Sequence, residues 1–251
     1  MLKSLNHLTH SSVTASDGDV GVITAAFFDD QWWAIRYLVV DAGAWLIERE
    51  VLISPYSVKH PLSANSHIDV NLTRAMVEDS PDVDTQQPVS RQQEIQMQTY
   101  YGFPDYWNGI DAWGMSAYPF LAPGILTERA PLQVSEPTAD AHLRSSAEVT
   151  GYDIHATDES IGHVQDFVFD DASWTIRYLV IDTRNWWPGG KKVLIATHWI
   201  ESIDWDSRTV HVKLTRDQVK NSPEYAEETP IVRGYEERLH ASYRRPGYWD
   251  H

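Results

Sequence analysis

Residues 160–182 read SIGHVQDFVFDDASWTIRYLVID, and residues 19–41 read DVGVITAAFFDDQWWAIRYLVVD. Gly21 aligns with Gly162, Asp29-Asp30 with Asp170-Asp171, Trp33 with Trp174, and Ile35-Arg36-Tyr37-Leu38-Val39 with Ile176-Arg177-Tyr178-Leu179-Val180. The offset is 141 positions, from Arg36 to Arg177, and becomes 142 past Gly189-Gly190, where Val51-Leu52-Ile53 aligns with Val193-Leu194-Ile195. At that second offset Leu72-Thr73-Arg74 meets Leu214-Thr215-Arg216, Ser80-Pro81 meets Ser222-Pro223, and Pro104 and Tyr106-Trp107 meet Pro246 and Tyr248-Trp249. A period of this length is far beyond that of a solenoid unit and marks a duplicated domain.

The 251 residues therefore divide into a first repeat over 1–107, a connector over 108–143 and a second repeat over 144–251. Each repeat is long enough to bury its own core. The formal net charge of −16 disfavours nucleic acid and anionic membrane surfaces, whose binding needs clustered Lys and Arg. No cysteine is present, so no disulfide framework, thiol redox site or thiolate metal site is expected. The start, MLKSLNHLTHSS, lacks the apolar core of a signal peptide, and no apolar run approaches the length of a membrane helix. The expectation is a soluble cytoplasmic protein without an integral membrane segment.

Within each repeat the first half reads as strands. Val20–Phe28 and Ile161–Phe169 carry β-branched and aromatic residues bounded by Asp-rich turns. Trp174–Asp182 is nearly continuous in apolar residues apart from Arg177, as a central strand buried on both faces would be. Val193–Ala196 and Thr209–Val212 read as further strands. Helix signals follow. Thr215 and Gln218 form a capping box, as do Ser90 and Gln93, whose helix runs to a Gly102 terminator. The partner of that second helix is expected from Pro230 to about Tyr243. The fold class is mainly β: two tandem small antiparallel barrels, each followed by short α-helices. In the connector, the Gly- and Pro-containing first part is expected to pack on a domain and the polar second part to cross between repeats.

The pattern G-x-V-x-D-F-x-F-D-D-x-x-W-x-I-R-Y-L-V-x-D over Gly162–Asp182, with Val193-Leu194-Ile195 and Leu214-Thr215-Arg216 after it, resembles the PRC-barrel domain. The first repeat departs from it at Ala25-Ala26, where the second has Asp166-Phe167. That family takes its name from the cytoplasmic domain of the photosynthetic reaction-centre H subunit and includes the C-terminal barrel of the ribosome maturation factor RimM. The resemblance implies a protein-contact module with no shared catalytic residue, and, by analogy, a setting in a membrane-associated or photosynthetic electron-transfer complex.

Each candidate constellation has a structural reading beside its functional one. Asp29-Asp30 and Asp170-Asp171 read as turns, since adjacent side chains on an extended chain point apart. Arg36 and Arg177, inside apolar strands, either hold an anionic ligand, pair with a nearby acid such as Asp41 or Asp182 at the strand end, or let the head group reach solvent. His7 and His10 fall in a polar amino-terminal tail, and no metal, cofactor or catalytic constellation stands out. The aromatic tails are the candidate interaction residues: Tyr100, Tyr101, Tyr106 and Trp107 after the first repeat, Tyr248 and Trp249 after the second, with Trp32, Trp186 and Trp187 beside them. Each tail either covers its own barrel or forms an interface, which would fasten the two repeats into an intramolecular pseudo-dimer or make a homodimer. The expected function is non-catalytic binding of a protein partner. The alternative is a small-ligand or stress-related sensor using the cleft between the barrels, with an enzyme built on the paired Asp or Arg ranked last.

Overall fold

A computed structural model describes residues 1–46, 49–60, 62, 67–85, 89–121, 143–184, 186 and 188–250. The first repeat runs β1 (Leu2–Ser4), α1 (Leu5–Leu8), β2 (Ser12–Ala15), β3 (Gly18–Asp29), β4 (Ile35–Asp41), β5 (Glu50–Ile53), β6 (His67–Asp69), α2 (Arg74–Glu78) and α3 (Arg91–Tyr101). The second runs β7 (Leu143–Ser145), α4 (Ser146–Val149), β8 (Asp153–His155), β9 (Ser160–Asp170), β10 (Thr175–Asp182) and β11 (Lys192–Ala196). It ends with β12 (Ile200–Asp204), β13 (Thr209–Val212), α5 (Arg216–Lys220) and α6 (Arg233–Tyr243). The fold is mainly β, as the alternation of the sequence requires.

The strands form two sheets. One has the order β5-β4-β3-β2-β6, with β7 also on β3; the other has the order β11-β10-β9-β8-β13-β12, with β1 also on β9. Pairing is antiparallel except for β2 with β6 and β8 with β13. The central strands hold the core: Ile35 to Val40 and Tyr178 to Ile181 are buried throughout. Each such aliphatic side chain contributes about 1.5–3 kcal/mol by leaving water. The repeated glycine has a steric cause. A Cβ on Gly21 would lie 2.0 Å from the Asp41 carbonyl oxygen, and one on Gly162 2.4 Å from that of Asp182.

The compact units are not coextensive with the repeats. The first-repeat unit comprises His7–Ala147 and Asp171–Thr175, and the second-repeat unit Met1–Asn6, Glu148–Asp170 and Ile176–His251. The strand that leads each repeat thus sits in the sheet of the other. In the second-repeat unit Ser4 pairs with Val168, and in the first-repeat unit Ser145 pairs with Phe27. The hairpin tip Asp171–Thr175 completes the first-repeat unit, where Ile35 N donates to Trp174 O at 2.8 Å. The start of the chain is therefore strand and helix, not the polar tail expected around His7 and His10.

The helix signals map closely. Thr215 with Gln218 and Ser90 with Gln93 both form capping boxes, and Gly102 ends α3 in the left-handed region at φ 70°. The α6 helix starts at Arg233, three residues past Pro230, with Val232 at its cap position and no side-chain cap bond. Of the connector, Trp113 is buried in the first-repeat unit, and residues 122–142 lie outside the described residues.

Candidate functional site

In the first-repeat unit, β4 carries Arg36 into the interior, where it is 1% exposed. Its partner is Asp29, not Asp41: Nε donates to Asp29 Oδ2 at 2.8 Å and Nη2 lies 2.7 Å from the same oxygen. Asp41 instead caps the following turn by accepting from Gly43 N. Asp29 also makes the turn that its residue type predicts, Oδ1 accepting from Gln31 N and Trp32 N. Pairing is what makes a buried guanidinium tolerable.

The tail then closes over this pair. The Tyr106 ring centroid lies 3.6 Å from the Arg36 guanidinium carbon, and that of Trp113 lies 4.7 Å from it. Tyr106 donates its hydroxyl to Glu94 on α3, and Glu94 Oε2 holds Arg91 at 2.8 Å. Arg91 in turn lies 4.1 Å from the Trp107 ring. Burial pushes Glu94 up to about 7 against the opposing pull of Arg91 and the Tyr106 hydroxyl.

The second-repeat unit builds the same arrangement. Arg177 lies 4.5 Å from the Tyr248 ring. Tyr248 donates to Glu236 Oε1 at 2.9 Å, Glu236 Oε2 holds Arg233 at 3.1 Å, and Arg233 lies 3.9 Å from the Trp249 ring. Asp182, the sequence-based partner for Arg177, is bonded to Arg184, whose side chain holds its carboxyl down at about 2. Tyr178 donates to Glu236 at 2.8 Å, and its oxygen lies 3.0 Å from His240 Nε2. A carbonyl only accepts, so the 2.8 Å contact of His240 Nδ1 with Pro246 O puts the ring proton on Nδ1. Burial lowers the pKa of His240.

Four residues of this arrangement recur at one offset, with Arg91, Glu94, Tyr106 and Trp107 answering Arg233, Glu236, Tyr248 and Trp249. Sequence reasoning found the aromatics and missed the Arg-x-x-Glu pairs that hold them. The signal was present, because that spacing puts both side chains on one helix face and returns 142 positions later.

The candidate interaction residues accordingly divide. Tyr101 and Tyr106 are buried, while Trp107, Tyr248 and Trp249 are half-buried against their own unit. Trp186 is half-buried and donates to Ser160 Oγ at 3.1 Å, and Trp187 lies outside the described residues. Tyr100 and Trp32 are exposed.

A second group of exposed apolar residues was not singled out from the sequence. After the first tail, Trp113 anchors a loop by donating Nε1 to Ser173 O at 2.7 Å and packing edge-on to Tyr56 at 5.0 Å. Asp111 and Gly114 bond reciprocally through their backbones, and Trp113 N donates to Ser116 O. This anchored loop leaves Ile110 84%, Met115 83%, Tyr118 54% and Phe120 64% exposed. Among the described residues no group of three His, Asp or Glu side chains converges as a metal site would.

Residues 143–219 match the PRC-barrel domain family. The match begins at β7 and ends within α5, so the PRC-barrel domain as a stretch of sequence includes the strand β7 that folds onto β3. No curated protein matches the chain.

Proposed function

We propose that this chain is a non-catalytic interaction protein, built from two PRC-barrel-like repeats, that acts through its surface on a protein partner. The observation that carries this reading is the Trp113-anchored loop, which holds four apolar side chains in solvent while the tail aromatics other than Tyr100 pack at least partly against their own units. Scattered exposed apolar residues need no explanation, but a cluster on an ordered loop is the usual mark of a contact surface. With a net charge of −16, a partner whose apolar patch is rimmed by Lys and Arg suits it best. By analogy with the family that residues 143–219 match, the setting we propose is the cytoplasmic side of an assembly, such as an electron-transfer complex; among the described residues no helix is long and apolar enough to cross a membrane. The ligand reading of the strand arginines finds less support, because Arg36 is bonded to Asp29 and covered by two rings.

The test is co-purification of a native complex with wild-type chain and with Met115→Ser/Phe120→Ser. Loss of the complex at unchanged melting temperature is expected. A complex that survives the double substitution contradicts the proposal.

A further inference from the structure

His155 on β8 and His211 on β13 are register partners on two parallel strands of the second-repeat unit. Their ring centroids lie 5.5 Å apart, with the ring planes at 61°. Ile154, Val210 and Val212, their neighbours along the strands, are buried. Strand alternation therefore turns both imidazoles to the outer face of the sheet, where each is half-buried. Two exposed carboxylates share that face. Asp153 lies two residues from His155, and Asp204 on β12 is the register partner of Thr209, two residues from His211. The Asp204 carboxyl is held below its ordinary pKa first by the Ser207 amide and in smaller part by His211.

Other histidines are spent on protein partners. His67 Nδ1 lies 3.1 Å from Ser12 Oγ and its Nε2 3.2 Å from Asp69. His198 and His240 also stack, at 5.8 Å and 23°, but both ring nitrogens of His240 are engaged, by Pro246 O and the Tyr178 hydroxyl. Among the described residues no hydrogen bond or ion pair takes up a ring nitrogen of His155 or His211. The pair also belongs to the second repeat alone, since Thr14 and Asp69 are register partners at the equivalent positions of the first.

The separation selects an ion. A metal shared by two imidazoles, at about 2.0–2.1 Å from each nitrogen, sets the ring centroids about 5.2 Å apart at a tetrahedral angle and about 4.5 Å apart at a right angle. The observed 5.5 Å fits the tetrahedral case, which is that of Zn2+.

We propose that His155 and His211 form a two-ligand Zn2+ site on the outer face of the second-repeat sheet, with Asp153 and Asp204 supplying a negative field around it. Two protein ligands are fewer than the three or four of a resident zinc, so the remaining positions go to water and the ion exchanges with solvent. The interaction surface on the Trp113-anchored loop plays no part in this site.

Titration of the full-length wild-type chain with zinc chloride, followed by NMR of the imidazole nitrogens, tests the proposal without altering the fold. The His155 and His211 signals are expected to move together and to saturate at one equivalent, while magnesium chloride moves neither. In calorimetry His155→Asn and His211→Asn are each expected to weaken Zn2+ binding at least tenfold, and His198→Asn to leave it unchanged. The proposal is overturned by the lack of a saturable change at these two rings, by a first response at other histidines, or by wild-type affinity in either His155→Asn or His211→Asn.

Discussion

The guanidinium of Arg36 lies over the ring of Tyr106, 3.6 Å from its centroid, while the hydroxyl of that ring reaches Glu94. One tyrosine therefore covers a buried cation and satisfies a buried carboxyl. Separating these roles gives distinct losses. Tyr106→Phe keeps the cover and leaves Glu94 short of a donor, at about 1–3 kcal/mol. Tyr106→Ala removes both and opens a cavity, at about 3–5 kcal/mol. Urea unfolding of the two variants is expected to rank them in that order.

The two strand arginines occupy equivalent positions with unequal surroundings. Arg36 is buried against Asp29, whereas Arg177 is half-buried and covered on one side by Tyr248. Arg36→Ala leaves a buried carboxylate unpaired and is expected to cost about 3–5 kcal/mol. Arg177→Ala loses a partly exposed cation–ring contact and is expected to cost about 0.5–1 kcal/mol. Equal losses in a denaturant titration would contradict this assignment.

Glu94 predicts a pH dependence. Burial raises its carboxyl from 4.5 to about 7, so the folded state holds a proton that the unfolded state has released. Its contribution is complete below pH 4.5 and is lost as pH rises through about 7. The slope approaches about 1.4 kcal/mol per pH unit for one proton. His240, whose pKa burial lowers, acts in the opposite sense below its ordinary value. The difference between wild type and Glu94→Gln isolates the glutamate. Its stability is expected to fall less between pH 5 and 7 than that of wild type, and parallel curves would exclude the assignment.

Much of this architecture was legible in the chain because it is written twice. Runs of β-branched and aromatic residues bounded by Asp-rich turns located β3 and β9, the nearly continuous apolar run located β10 and, through the repeat, β4, and the Ser90 and Thr215 boxes located α3 and α5. The strand exchange was not legible. Segments as short as Leu2–Ser4 and Leu143–Ser145 carry no periodicity, and nothing local distinguishes a strand that pairs within its repeat from one that pairs in the other. The partner of Arg36 is hidden for a related reason. The sequence offers Asp41 at the strand end, but Asp29 at the far side of the hairpin turn faces the same interior. The loop from Ile110 to Phe120 was read as packing; only Trp113 and its immediate neighbours do so, because one anchored side chain leaves the flanking ones outward.

Site-specific photo-crosslinking in cells tests the central claim most directly, with the probe placed in turn at Phe120 and at Trp107 or Trp249. Discrete adducts to a protein partner from Phe120, with none from the tail positions, are the outcome expected of a surface-acting chain whose tails are covers. Adducts from Trp107 or Trp249 and none from Phe120 would contradict it.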